Sequence, residues 1–314
     1  MKKDFRTLIT ALLVSVLALA ATVMKTVACF ISMDYDSGFF GDSLLVRISD
    51  YLVAALIIIL VATLFIKVEK RAVKPSFSGA LVYLPAGVFA MSLLFLSAEL
   101  LGYITVKAGG LFTELAFSDR SCVIALVAAV FALLTIAYLA LTVFITEPRS
   151  ILRAEFGMMA ALFFALYAAF SFFRSGAPIN QPQKILTEVT ALAAALFMLE
   201  ETRISLGKER WRGYFTLGTI TAVLALYTSI PAFLVYIFRE KVIASGTSEL
   251  VFILALLVLS ISRLAHAIKL PDGAPSRLAM AIDALGPSDE ANDGEEDNFS
   301  QISIEEVADD EKAE

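Results

Sequence analysis

Histidine occurs once in this chain and cysteine twice among 314 residues. A single imidazole, His266, excludes His-cluster metal sites and the helical His-Glu-x-x-His hydrolase motif. Nucleophilic chemistry of the Ser-His kind would depend on that one residue at the end of an apolar run. Two cysteines exclude a disulfide framework and a thiolate metal cluster. Cys29 and Cys122 both map near the outer ends of apolar stretches, where a bond could form if the helices adjoin. Two buried small side chains is the default expectation for them. No Gly-x-x-x-x-Gly-Lys phosphate loop is present, so coupling to ATP would need a partner subunit. Neither catalysis, a cofactor nor a nucleic-acid partner is expected.

Charge is also scarce, at 18% of residues against 59% hydrophobic. What fills the chain is a series of eight apolar windows, at roughly 7–33, 50–66, 79–105, 121–146, 154–173, 185–202, 213–237 and 249–269. Each approaches the ~20 apolar residues that a helix needs to cross a bilayer, and only helices or closed barrels satisfy their backbone there. The sixth window is the weakest, because it holds Glu188, Glu200 and Glu201. The fold expected is all-α: a polytopic integral membrane bundle of eight transmembrane helices over residues 1–270, held in a lipid bilayer.

Orientation follows from basic residues, which concentrate in cytoplasmic loops. One side carries sixteen, among them Lys67, Lys70, Arg71, Arg149, Arg153, Arg203, Arg210 and Arg263. The other carries eight: Lys25, Arg47, Lys107, Arg120, Arg174, Lys184, Arg239 and Lys241. Both termini are therefore expected to be cytoplasmic, in a cell membrane. Tyr35, Tyr51, Tyr103 and Tyr236 then fall at the outer interface, and Tyr83, Trp211 and Tyr214 at the inner one, as aromatic belts. The competing reading of the first window is a signal peptide cleaved after Ala18-Leu19-Ala20, which would leave seven helices. The apolar run continues to Met33, longer than a signal core.

Residues 271–314 form an acidic tail. Its last stretch, 287–314, holds twelve acids and one lysine, a composition that cannot bury enough apolar surface to offset ordering entropy. Disorder is expected, and so is a possible cytoplasmic protein partner that docks on Phe299, Ile302, Ile304 and Val307. The outer loop Asp34-Tyr35-Asp36-Ser37-Gly38-Phe39-Phe40-Gly41-Asp42 resembles the Tyr-Asp and Gly-x-Gly-Asp elements of intramembrane aspartyl proteases. Asp36 and Asp42 share one short loop, whereas that chemistry needs aspartates on two facing helices.

Packing signals are stronger than chemical ones. Gly157, Ala161, Ala165 and Ala169 recur every four residues, a stripe that lets another backbone approach, with Phe163, Phe164 and Phe170 off it. Pro85 and Pro231 should open their helices, with Thr228 and Ser229 near enough to satisfy the groups freed at Pro231. Leu64–Arg71 and Leu196–Arg203 align as a weak internal repeat, which implies two parallel halves.

Ionisable residues inside spanning segments are functional-site hypotheses. Glu99 and Glu188 are the two, both in the outer half, with Tyr103, Arg174, Asn180 and Gln181 supplied around them. The bland reading is that both carboxylates sit at headgroup level or pair with a neighbour. The inner-end Glu200, Glu201 and Arg203 read as a solvated or interfacial pair network. Two functions fit: a transporter or permease-type subunit that handles a small molecule or ion at an outward-facing polar site, or a non-catalytic scaffold or sensor that recruits cytoplasmic partners.

Overall fold

The computed structural model describes residues 2–35, 37–63, 80–144, 151–174, 178–206, 211–241 and 246–268. Among them it forms nine helices: α1 Lys2–Ser32, α2 Leu44–Thr63, α3 Ala80–Ala108, α4 Glu114–Ser118, α5 Arg120–Phe144, α6 Ile151–Phe173, α7 Pro182–Ser205, α8 Trp211–Arg239 and α9 Thr247–Ile268. The one β feature among them is an isolated bridge between Met33 and Phe40 in the α1–α2 turn. The acidic tail, the Leu64–Arg71 half of the repeat and the His266 side chain lie outside the described residues.

Seven of these helices are long and apolar enough to cross a membrane. The chain is therefore a multi-pass integral membrane protein. The eighth long helix, α7, is not among them and is the least apolar of the long helices, yet its polarity is arranged inside out. Ile185, Val189, Leu192, Leu196 and Leu199 are exposed along one face, while Gln183, Lys184, Thr187, Thr190, Glu201, Thr202 and Ser205 are buried along the other. Pro182 opens the helix at its first turn, where its missing N–H costs nothing.

Packing runs α3–α5–α6–α7–α8–α9 and back to α3, a closed ring of six helices, and the α1–α2 hairpin lies against α8. The ring's interior is aromatic: Tyr167 and Phe252 stand 5.1 Å apart, and Phe89 stacks on Phe164 at 6.0 Å. Such pairs add about 0.5–1.5 kcal/mol beyond their area. Close approach comes from small residues. Ala125, Ala128, Ala129 and Ala132 are all buried on α5, and a Cβ on Gly157 would lie 2.6 Å from Thr202 Oγ1 on α7.

The expected α6 stripe holds at Gly157 and Ala161 only. Residues four apart advance by 400° on a 3.6-residue helix, so the stripe drifts by about 40° per step. Ala165 has turned to the exterior and Ala169 is half-exposed. Ala160, Phe163, Phe164, Ala168 and Phe170 take up the buried face instead. Two belt tyrosines also turn inward: Tyr214 is fully buried, and Tyr103 packs edge-on against Phe170 at 5.3 Å. Cys29 and Cys122 are buried, unbonded, and in different clusters.

Pro231 removes the hydrogen bond that the Tyr227 carbonyl would receive, and its ring crowds that carbonyl. Help comes from another helix, since Gln183 Nε2 donates to the Thr228 carbonyl at 3.1 Å. The Ser229 hydroxyl donates to Ala225 in its own helix. Thr228 Oγ1 lies 3.3 Å from Thr190 Oγ1, a second α7–α8 link.

Candidate functional site

Polar groups gather at both ends of the ring. Consider first the end where α6 turns into α7. Asp119 caps α5, its Oδ1 accepting from the Ser121 and Cys122 backbone N–H groups and from the Ser121 hydroxyl. Lys107, at the end of α3, donates to Asp119 Oδ2 at 2.8 Å and to Ser121 Oγ at 2.7 Å. The Lys107 hydrogen bond, then that of Ser121, holds the Asp119 carboxyl well below the usual carboxylate range. Ser121 Oγ also lies 3.0 Å from the Tyr103 hydroxyl. Beneath, the Arg174 guanidinium carbon sits 5.8 Å from the ring centres of Tyr103 and Phe170, within cation–π range.

Arg174 then reaches Glu99 on α3, Nη2 to Oε1 at 3.4 Å. A Cβ on Gly246, just before α9, would stand 2.5 Å from Glu99 Oε1, so only glycine there leaves the carboxylate uncovered. Below this pair lies Glu249, which accepts from Thr187 Oγ1 at 2.9 Å and toward which Tyr167 directs its hydroxyl. Lys184 donates to the Phe172 and Arg174 carbonyls at 3.2 and 3.3 Å, tying α7 to the end of α6.

Exposure falls along this track. The Asp119 and Lys107 side chains are 35% and 31% exposed, Glu99 and Arg174 are 26% and 23%, and Glu249 as a whole is 2%. Two of its steps are ion pairs: Lys107 with Asp119, and Arg174 with Glu99. Glu99, Arg174 and Tyr103 thus stand together. Glu188 lies one turn along α7 from Lys184, half-buried, and α7 is not among the helices packed against α3. Asn180 is exposed in the turn before α7. Gln181 Nε2 occupies the place where a Cβ on Gly38 would fall, 2.0 Å away, and Gly38 has φ +72°. Both the left-handed backbone and the close approach require glycine there.

At the opposite end the charges are sealed. Glu201 Oε1 lies 3.5 Å from Arg263 Nη1 and 3.9 Å from Arg153 Nη2, and the three side chains are at most 1% exposed. Arg263 also donates to Thr142 Oγ1 at 3.2 Å, and buried Tyr138 and Tyr214 lie within electrostatic reach of Glu201. One carboxylate of α7 therefore pairs with arginines of α6 and α9, and Arg263 carries the link on to Thr142 of α5. Glu200 behaves differently from its neighbour: it pairs with half-exposed Arg203 at 2.6 Å, at the rim.

A third polar group lies where the hairpin meets α8. Lys25, 2% exposed on α1, places Nζ 4.2 Å from the centre of the Tyr227 ring. Tyr227 donates to Asp50 Oδ1 at 2.6 Å, and its hydroxyl oxygen lies 2.9 Å from Ser49 Oγ, both on α2.

Arg153, Arg263 and Lys25 enter a charge count as loop residues, whereas all three are buried side chains on helices. The signal for Arg263 is periodicity: it follows Leu256 by seven residues and Leu259 by four, on the buried stripe of α9. Glu201 likewise follows Phe197 and Ala194 on the buried stripe of α7. Among known proteins, no family, no curated protein and no solved structure matches this chain.

Proposed function

We propose that the protein is a transporter or permease-type subunit of the cell membrane, without intrinsic catalysis, that takes a small solute at a polar site open to the outside. All eight long helices span the membrane in this reading, with both termini cytoplasmic. The support for α7 as a span is its inside-out polarity. An exposed stripe of five large apolar residues suits lipid, while Lys184 and Glu201 find partners on neighbouring helices. Low mean hydropathy is then what a polar-cored spanning helix should have.

The observation that carries the reading is the unequal exposure of the two charged ends. Glu99 and Arg174 are reachable from the surface down a track of paired charges, while the Arg153–Glu201–Arg263 cluster is closed. A transport cycle needs one end open and the other shut, and the shut end should be held by interactions that can break. Here one carboxylate of α7 holds arginines of α6 and α9, and Arg263 reaches on to Thr142 of α5.

The test is an uptake screen in proteoliposomes, with Glu99→Gln as the matched control. This variant keeps the shape of the side chain and removes its charge. Uptake by the wild type that falls about tenfold or more in the variant supports the reading. Uptake equal in both removes Glu99 from the mechanism, and absence of uptake across solute classes favours the scaffold instead. Orientation is checked by labelling cysteines placed at Ser37 and Ser245, expected outside, and at Ser76, expected inside.

A further inference from the structure

We infer that the α3–α5 connection is seated in the membrane: residues 106–117 rest in the headgroup layer at that end of the bundle, with Val106, Phe112, Leu115 and Phe117 against phospholipid. The partner is the lipid surface itself. The inference stands apart from the transport reading, since it asks only that α3 and α5 cross the bilayer.

Val106 and Phe112 are 88% and 84% exposed, and Leu115 and Phe117 are 65% and 56%. Four large apolar side chains in so short a stretch form a surface that water does not suit. Val106 continues the exposed stripe of α3, which runs through Leu84, Val88, Met91 and Phe95 at helical spacing. The face that meets lipid along the helix therefore does not stop where the helix ends.

Depth agrees with this placement. With residue 95 as the middle of the stripe, Val106 stands about 16 Å along the axis at 1.5 Å per residue, just past the ~15 Å half-thickness of a hydrocarbon core. From the other side, Arg120 opens α5 twelve positions from the middle of Arg120–Phe144, about 18 Å. The connection between them falls in the headgroup layer, which reaches to about 20–22 Å from the midplane.

The short helix α4 has the polarity that this layer requires. Its one buried residue, Ala116, shares a core cluster with Ala108 and Cys122, at the ends of α3 and α5. At about 100° per residue, Leu115 and Phe117 then point to the two sides, while Glu114 and Ser118 point away from the bundle toward water.

The backbone is closed to match. The Thr113 hydroxyl donates to the Ala108 carbonyl at 3.0 Å, and Thr113 Oγ1 accepts the Ala116 N–H at 3.3 Å. Asp119 donates its N–H to the Leu115 carbonyl at 3.1 Å and offers its carboxylate to the first N–H groups of α5. A loop bathed in water can leave its peptide groups to the solvent, whereas one beside lipid must bond them internally.

The test reads the depth of the connection by fluorescence quenching. Trp211 is the chain's one tryptophan, so Phe112→Trp and Phe117→Trp are each made in a Trp211→Phe background and the full-length protein is reconstituted in phosphatidylcholine vesicles. Each new indole should lose most of its emission when the lipid is brominated close to its headgroup, less when the bromine lies near the chain end, and little to aqueous iodide. Strong quenching by iodide without loss to either brominated lipid overturns the inference, because the connection then stands in water. Shielding from all three quenchers overturns it too, because protein then covers the patch. If Trp211→Phe impairs folding, a nitroxide on Phe117→Cys gives the same reading, since both native cysteines are buried. Its collisions with oxygen, which gathers in lipid, should exceed those with a nickel chelate, which stays in water, and the reverse order overturns the inference.

Discussion

Gln183 on α7 donates its side-chain amide to the Thr228 carbonyl of α8, 3.1 Å away and three residues before Pro231. A proline inside a membrane helix is tolerated when a neighbour serves the disturbed backbone, and here the neighbour is the least apolar helix of the bundle. Gln183→Leu should therefore lower the unfolding free energy in detergent by about 0.6–1.7 kcal/mol, the range of hydrogen bonds between membrane helices. Pairing it with Pro231→Ala, which restores the missing N–H, should recover part of that loss. Equal losses in the single and double variants would show that the two residues act independently.

Glu201→Ala should be among the most damaging single substitutions in the chain. It leaves Arg153 and Arg263 buried without their shared carboxylate, a change worth about 3–5 kcal/mol. Replacing all three, as Arg153→Met, Glu201→Leu and Arg263→Met, should cost less than Glu201→Ala alone, because no buried charge remains. Denaturant unfolding of the two variants in the same detergent checks the order. A triple variant weaker than the single would mean that the cluster stabilises beyond cancelling its own burial.

Gly157→Ala should destabilise by about 1–3 kcal/mol through overpacking. The new methyl would stand 2.6 Å from Thr202 Oγ1 and 3.3 Å from the Tyr138 ring. Thr202→Ala removes the nearer atom, so the double variant should be more stable than the sum of the singles predicts, with a coupling of about 0.5 kcal/mol or more. Additivity within error would place the close approach elsewhere.

Asp119 gives an acid-dependent term with a defined sign. Its folded-state carboxyl titrates below the unfolded value, so its contribution is fully present above the unfolded pKa of about 3.9 and is lost as pH falls toward the folded value. The stability gap between wild type and Asp119→Asn should be constant from about pH 5 to 8 and narrow below about pH 4. A gap that stays constant through the acid range would mean that Lys107 and the α5 backbone bind the carboxyl no better than water does.

The bundle was legible in the sequence because spanning length is a property of local composition. The window at 121–146 became α5, Arg120–Phe144, and even the polar window at 185–202 lies inside α7, Pro182–Ser205. Side-chain direction was much less legible. A count of basic residues treats Arg153 and Arg263 as loop charges, although each sits where the buried face of its helix continues. Ala165 shows the same limit from the other side, since a four-residue repeat does not keep to one face of a 3.6-residue helix. Glu99, Arg174 and Tyr103 could be grouped because they lie near the same ends of their helices. Glu249, which completes that track, stood out less because it opens its helix and looks like a first-turn acid.

Lys25 has a further bearing on how the protein is made. Its ring partner, Tyr227, and the α8 surface under the α1–α2 hairpin come about two hundred residues later in the chain. During synthesis from the N-terminus the hairpin enters the bilayer long before that surface exists, and an ammonium in hydrocarbon is costly until it is covered. The hairpin must wait, shielded by Asp50, by lipid headgroups or by the insertion machinery, while the six-helix ring is laid down. A ribosome stalled between α7 and α8 would leave a nascent chain with its first charged residue in the membrane still unhoused, a natural mark for quality control to read.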